Sequence, residues 1–251
     1  MRANEAQRLV MQRLVEPEDA RPAMDPSDPL ATRLALFSGF IARIKHAQLR
    51  RTFPLTLRLL AIHGADIAFF ASIAGDFHAR RSRGPIPQAE LIDGFAGDLS
   101  RWLPAAPAAA QRPVAAMLRH ESLLWSAAHP RTEAAACEFP ALAAGVAVGA
   151  FDCDVLALAD ALRADPFTAP ACDACDTYLL YAAAGDSSVQ IAAVDALSAW
   201  VLSRVDGRTA IAELSAQWPE QTAGFERVVS QLVEDGRQRG IVRGARCEQT
   251  A

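Results

Sequence analysis

Residues 177–214 read TYLLYAAAGDSSVQIAAVDALSAWVLSRVDGRTAIAEL, and this stretch decides the fold. Thr177–Ala183 is aromatic and branched, the composition of a strand. Gly185–Asp186–Ser187 is turn chemistry. Ser188–Val194 reads as a second strand, so the two predict a hairpin. Asp195 is placed to cap a helix from Ala196 to about Val205, with Leu197, Val201 and Leu202 as its apolar face. Asp206–Gly207 breaks that helix. Thr209 is expected to cap the next, with Glu213 as its reciprocal partner.

The pattern extends in both directions. Upstream, Val146–Phe151 predicts a further strand, and Val155–Arg163 a short helix stopped before Asp165–Pro166. Downstream, Phe225, Val228, Val229, Leu232 and Val233 define a third helix that ends at Gly240, and Ile241–Arg243 predicts a short final strand. Residues 136–251 are therefore expected to form a winged-helix-like α+β domain. The first half is different. Leu30, Leu34, Phe37, Ile41 and Ile44 form one helical stripe. Further helices are expected after Pro54, over Ile67–Phe77, over Leu91–Trp102, and from Pro113 through Trp125, with Ala105–Ala110 as a connector. Residues 30–135 thus read as a helical bundle-like domain, and residues 1–29, broken by Pro17, Pro22, Pro26 and Pro29, as an arm or linker. The fold class expected is mostly α with a small β element.

Composition bounds the function. A chain of 251 residues, 51% hydrophobic and 22% charged, is long enough for two cored domains and too well mixed to be fibrous or disordered. Its 53 alanines favour closely packed helices. No apolar run reaches the length of a bilayer span, so no membrane association is expected. Met1–Val15 interleaves Arg2, Glu5, Arg8 and Arg13 and lacks the apolar core of a secretion signal, which predicts a cytoplasmic protein. Five cysteines (Cys137, Cys153, Cys172, Cys175 and Cys247) are then expected to be free thiols.

The motifs point away from catalysis in this chain. Cys172-x-x-Cys175 has spacing for zinc or a redox pair, but no second such pair accompanies it, and incidental thiols are the simplest reading. None of the histidines (His46, His63, His78, His120, His129) has metal-ligand spacing, and no phosphate loop or nucleophile elbow occurs; Gly145-Val-Ala-Val-Gly149 is too short for one. No catalytic residue, metal ligand or cofactor is therefore assigned to this chain. Charge sorts the remaining uses of the second domain. Residues 1–135 carry 17 basic and 13 acidic side chains, residues 136–251 carry 8 and 16. A module at net −8 repels DNA unless Arg237, Arg239, Arg243 and Arg246 segregate its charge, so nucleic acid is not expected as a partner. Capture of an extended peptide along a free strand edge fits the same fold better.

Two stretches resemble known families. Val194-Asp-Ala-Leu-Ser-Ala-Trp-Val-Leu-Ser-Arg-Val-Asp-Gly-Arg-Thr-Ala-Ile-Ala-Glu-Leu, with the ending Leu232…Gly240-Ile-Val242, resembles the PqqD-like recognition elements that bind precursor peptides in ribosomal peptide (RiPP) biosynthesis. Met117-Leu-Arg-His-Glu121 with Leu124–Trp125, after Phe53-Pro54 and Gly64-Ala-Asp66, resembles the helical part of partner subunits of multinuclear non-heme iron peptide-modifying enzymes, such as those of methanobactin and 3-thiaglutamate biosynthesis. Here one residue is inserted between the Gly and the Asp. The resemblance implies a non-catalytic subunit, with no cofactor of its own, that forms a heterodimer with a TIM-barrel iron enzyme and presents a precursor peptide's cysteine to it. It implies that the leader adds antiparallel to the edge formed by Ser188, Val189, Gln190, Ile191, Ala192 and Ala193. Leader side chains would enter a groove against Phe225, Val228, Val229 and Leu232, although Val228 and Leu232 read equally well as core. It also implies that Arg119, His120 and Glu121 meet the enzyme. The competing readings are a winged-helix DNA-binding regulator and a cysteine-based metal or redox protein.

Overall fold

A computed structural model of the chain describes residues 33, 47–81, 87–130, 138–185, 188–218 and 224–244, with backbone alone over 74–81. The chain is mostly helical, at 58%, with a small antiparallel sheet. It divides into two compact units. One joins the residues up to Leu118 to Leu156–Cys172, and the other joins Arg119–Val155 to the residues from Asp173 onward. The division is interleaved, where the sequence suggested a single cut after residue 135. The reason is that a strand and a helix close together in sequence find their partners in different cores.

In the first unit, α1 (Ala47–Thr52), α2 (Pro54–Ile62), α3 (Asp66–Arg81) and α4 (Gln88–Trp102) follow one another, and a 3₁₀ turn, Leu103–Ala105, closes α4. Pro54 opens α2, where its missing N–H costs nothing. The core is aromatic. Phe53, Phe69, Phe70 and Phe95 are fully buried, with the Phe53 and Phe95 rings 4.9 Å apart and Phe69 edge-on to Phe95 at 5.6 Å. Such contacts add to the burial itself. No single described helix is long and apolar enough to cross a membrane. The stripe Leu30–Ile44 lies outside the described residues, Arg33 excepted.

α5 (Ala108–Ala128) begins earlier than its expected start at Pro113. The alanine run expected as a connector supplies its first turn, because alanine is the best helix former and Ala110 is fully buried. Gln111 steadies that start by donating to the carbonyls of Pro104 and Ala106, at 3.2 and 3.0 Å. α6 (Val155–Ala164) matches the helix expected over Val155–Arg163, and its Leu158 and Leu162 are buried. Arg58 Nη1 donates to the Leu162 carbonyl at 2.9 Å.

The second unit is built on a three-stranded antiparallel sheet. Its strands are β2 (Val146–Cys153), β3 (Ala174–Ala183) and β4 (Val189–Ala193), ordered β2-β3-β4. The expected hairpin is β3–β4, paired from Ala183↔Val189 to Leu179↔Ala193. The pairing of β2 with β3, Val148↔Leu180 and Gly149↔Leu179 among them, spans the α6 excursion. Helices α7 (Ala196–Leu202), α8 (Ile211–Ala216) and α9 (Phe225–Gln238) follow. A two-residue strand β5 (Val242–Arg243) pairs with β1 (Ala141–Leu142). β1 has too few residues to show a pattern and was not expected.

The core of this unit gathers Leu180, Val201, Leu202, Val205, Leu214, Val229, Val233 and Val242, so α7, α8 and α9 cover one face of the sheet. The other face meets the last turns of α5. A Cβ on Gly149 would lie 2.6 Å from Leu123 Cδ1 and 2.7 Å from the Phe151 ring. Gly149 therefore sets how closely the helix lies on β2 and is no part of a phosphate loop.

The capping expectations divide. Asp195 caps α7 as expected, accepting from the Ser198 N–H at 2.8 Å. Thr209 does not cap α8, whose flanking residue is Ala210 with no side-chain cap. Instead Asp206 accepts from the N–H groups of Arg208 and Thr209, at 2.8 and 2.9 Å. Gly207, at φ 79°, turns the chain there, and its N–H donates to the Pro140 carbonyl at 2.8 Å. The helix starts one residue beyond the expected cap, and Asp206 takes the Thr209 N–H that the reciprocal partner Glu213 was expected to accept.

Two glycine substitutions should act in opposite directions. Gly149→Val crowds Leu123 and Phe151 and is expected to destabilise by about 1–3 kcal/mol. Gly97→Ala, on the exposed face of α4 with nothing within 4 Å of the new methyl, should stabilise by about 0.5–1 kcal/mol. Urea unfolding midpoints of the two variants measure both.

Candidate functional site

Among the described residues β4 pairs with β3 alone, so its other side is an open edge. Two bonds at the ends of the ladder fix which groups face outward. Ala184 N–H donates to the Ser188 carbonyl at 2.9 Å, and Val194 N–H donates to the Tyr178 carbonyl at 3.0 Å. An antiparallel ladder alternates, and this one is in unbroken register. Ser188, Gln190, Ala192 and Val194 therefore turn their backbone groups to β3. Val189, Ile191 and Ala193 turn theirs outward, ready for another strand.

A cavity of about 270 Å³ lies beside this edge. The β4 end contributes Ala192, Ala193 and Val194, and Leu180 lies below them on β3. Leu180 and Ala192 are cross-strand partners and share a face. The small side chain at 192 leaves that face open. From α9 come Leu232, Asp235, Gly236 and Arg239, at the three- and four-residue spacing of one helical line. Ser198 and Leu202 of α7 and Ile241 close the space. Leu180, Leu202, Leu232 and Ile241 make the lining apolar, and Asp235 and Arg239 add a charge of each sign.

The expected groove residues on α9 separate. Leu232 lines the cavity. Val229 is fully buried in the core, turned inward with Val233, and is corrected to a core residue. Phe225 stacks on Trp218 with ring centroids 5.7 Å apart, and Trp218 meets Trp200 edge-on at 4.9 Å, so Phe225 belongs to an aromatic cluster instead of the cavity. Val228 is half exposed and does not line it. These four share one stripe of α9, but the cavity lies along the C-terminal half of the helix, so only Leu232 of the four reaches it. The sequence reading missed Asp235, Gly236 and Arg239. Their signal was their spacing from Leu232, obscured because an apolar groove was sought among apolar residues.

The late arginines are dispersed. Arg237 pairs with Glu234 at 3.4 Å, Arg243 Nε donates to the Leu142 carbonyl at 3.3 Å, and Arg239 lines the cavity. Arg246 lies outside the described residues.

Arg119, His120 and Glu121 lie in the sheet-facing end of α5. His120 and Glu121 are buried, at 1% and 4% exposure, and only Arg119 is exposed. The expectation that all three form a docking surface is therefore corrected for His120 and Glu121. His120 Nδ1 and Tyr181 Oη share a hydrogen bond of 2.7 Å. The Arg119 guanidinium lies 5.9 Å from the centroid of the Phe151 ring. Burial pushes the Tyr181 hydroxyl well above its ordinary pKa, with the Arg119 charge opposing, so Tyr181 stays a neutral hydrogen-bonding partner.

Among the cysteines, Cys153 is buried in β2, Cys172 is half-buried and Cys175 is exposed, with Cys175 Sγ 3.7 Å from Thr177 Oγ1. Among the described residues no three His, Cys, Asp or Glu side chains gather at metal-ligand spacing. Cys137 and Cys247 lie outside them. No family model matches the chain, and no curated protein sequence matches it.

Asp195, which fixes the start of α7 directly after the open strand, has a lowered pKa. The Ser198 N–H and then the Ser198 hydroxyl hold its carboxylate below the ordinary range. Its contribution is therefore complete above the ordinary carboxylate pKa and is lost as the pH falls through the lower folded value. Asp195→Ala is expected to cost about 1 kcal/mol at neutral pH, with the deficit shrinking in acid; urea titrations along a pH series check it. Tyr181→Phe removes a buried hydrogen bond and should cost about 1–3 kcal/mol, read the same way.

Proposed function

We propose that the chain is a non-catalytic recognition subunit of a peptide-modifying complex. It binds a ribosomally made precursor peptide by strand addition and works as a heterodimer with a TIM-barrel, multinuclear non-heme iron oxidase that acts on the peptide's cysteine. The observation that carries this reading is the open edge of β4 beside an apolar cavity against α9. Main-chain groups at Val189, Ile191 and Ala193 supply the ladder, and the cavity supplies the pocket for alternate side chains.

The order of the second unit, three antiparallel strands followed by three helices, supports a winged-helix-like, PqqD-like module, as do the Asp195 cap and the Asp206–Gly207 turn. The excess of acid over base in residues 136–251 favours a peptide over a nucleic-acid phosphate backbone. In this reading the iron and the catalytic residues belong to the partner. Its docking face includes Arg119 but not the buried His120 and Glu121.

The test uses the register. Proline at Ile191 removes an outward N–H and leaves the β3 ladder intact, and edge strands tolerate proline. Calorimetry with a Cys-containing precursor peptide encoded beside an iron-enzyme gene is expected to give an affinity lowered about tenfold or more by Ile191→Pro, with an unchanged circular dichroism spectrum. Unchanged affinity overturns strand addition. Failure of the chain to bind either the precursor or the iron enzyme overturns the whole reading.

A further inference from the structure

We infer that Arg239 selects the peptide: the bound strand carries an aliphatic side chain and, two residues away, a carboxylate that the Arg239 guanidinium receives. This inference rests on the strand-addition reading above and adds the chemistry of what is bound.

Arg239 and Asp235 lie one helical turn apart on α9, and both line the cavity. They do not pair with each other. Asp235 Oδ1 instead accepts from Gln231 Nε2 at 2.8 Å, from the preceding turn. Among the described residues no hydrogen bond or ion pair engages the Arg239 side chain. The other basic residues near this end of α9 are occupied, Arg237 by Glu234 and Arg243 by the Leu142 carbonyl. Among the described residues Arg239 is thus an uncommitted cation at an apolar cavity, in a part of the chain with twice as many acids as bases. A long-range field of that sign disfavours acidic peptides in general. A carboxylate is accepted only where a guanidinium meets it directly, which turns a weak preference into a positional one.

The register gives the spacing. Ala192 turns its backbone to β3, so a residue of an added strand opposite Ala192 lies close to it and shares its face. That face carries Leu180 and opens onto Leu232, so the opposing residue is aliphatic. The next side chains on the same face lie two residues away. Arg239, which caps the C-terminal end of α9, lines the same cavity, so the carboxylate is assigned to one of those positions. The recognised unit is aliphatic–any–acidic, read in either chain direction.

A randomised extended-peptide display library, selected on the full chain, tests this. The selected pool is expected to be enriched in the aliphatic–any–acidic unit. Arg239→Glu should invert the acidic preference to Lys or Arg. A synthetic peptide of the selected type should lose about tenfold in affinity on Arg239→Gln, and its binding should weaken with salt. A pool that binds the edge, is lost in Ile191→Pro and is indifferent to Arg239→Glu overturns the role of Arg239 and leaves strand addition standing. A selection that yields nothing, or whose peptides ignore Ile191→Pro, overturns both. A concentration-dependent dimer abolished by Ile191→Pro also overturns the inference, because a second copy would then be the occupant.

Discussion

Leu179, Leu180 and Tyr181 stand in succession at the middle of β3, and all three are buried. Successive strand residues point to opposite faces, so a strand buried in this way must be covered on both sides. That constraint organises the second unit. Leu180 faces the core built by α7, α8 and α9. Tyr181 faces the other way and meets His120 of α5. A strand wrapped on both faces is most stable between two neighbours, and β2 and β4 supply them. β4 is consequently the edge on the hairpin side.

The functional reading follows from what is left at that edge. β4 carries only a small side chain at Ala192 on the face towards α9, so the sheet is not closed by bulk there, and a cavity remains between it and α9. Natural proteins usually blunt an open edge with charge, proline or a covering segment. Here the described edge carries none of these on Val189–Ala193, and the cavity beside it has an apolar floor with, at its wall, a guanidinium that no described residue engages. Polar groups elsewhere are served within the fold: the buried His120 by Tyr181, the exposed Asp206 by two backbone N–H groups and Asp195 by Ser198.

Much of the architecture was legible as local pattern. The β3–β4 hairpin, the helices α6, α7 and α9 and the Asp195 cap were readable because each rests on residues within one or two turns of each other. The errors have a common cause. β1 was invisible because two residues carry no periodicity. The Thr209 cap failed because α8 starts behind Ala210, while the Thr209 N–H is taken by Asp206, three residues earlier. Val229 and Phe225 were expected in the groove because apolar character marks core and groove alike. Arg239 was counted only as one of a late basic cluster, although its partner-free state depends on where Arg237 and Arg243 find theirs.

By itself the sequence determined the helical character of the first half, the strand and helix order of the second, the turn at Asp206–Gly207 and the acidic balance of residues 136–251. These are set by propensity, capping and composition, which act over a few residues. Only the tertiary structure decided that β2 crosses the α6 excursion to pair with β3, that His120 and Glu121 are buried, His120 against Tyr181 of the sheet, and that Leu232, Asp235 and Arg239 share one cavity with Ala192. Those facts depend on contacts between residues tens of positions apart, and no local pattern encodes which of several apolar or charged faces will meet.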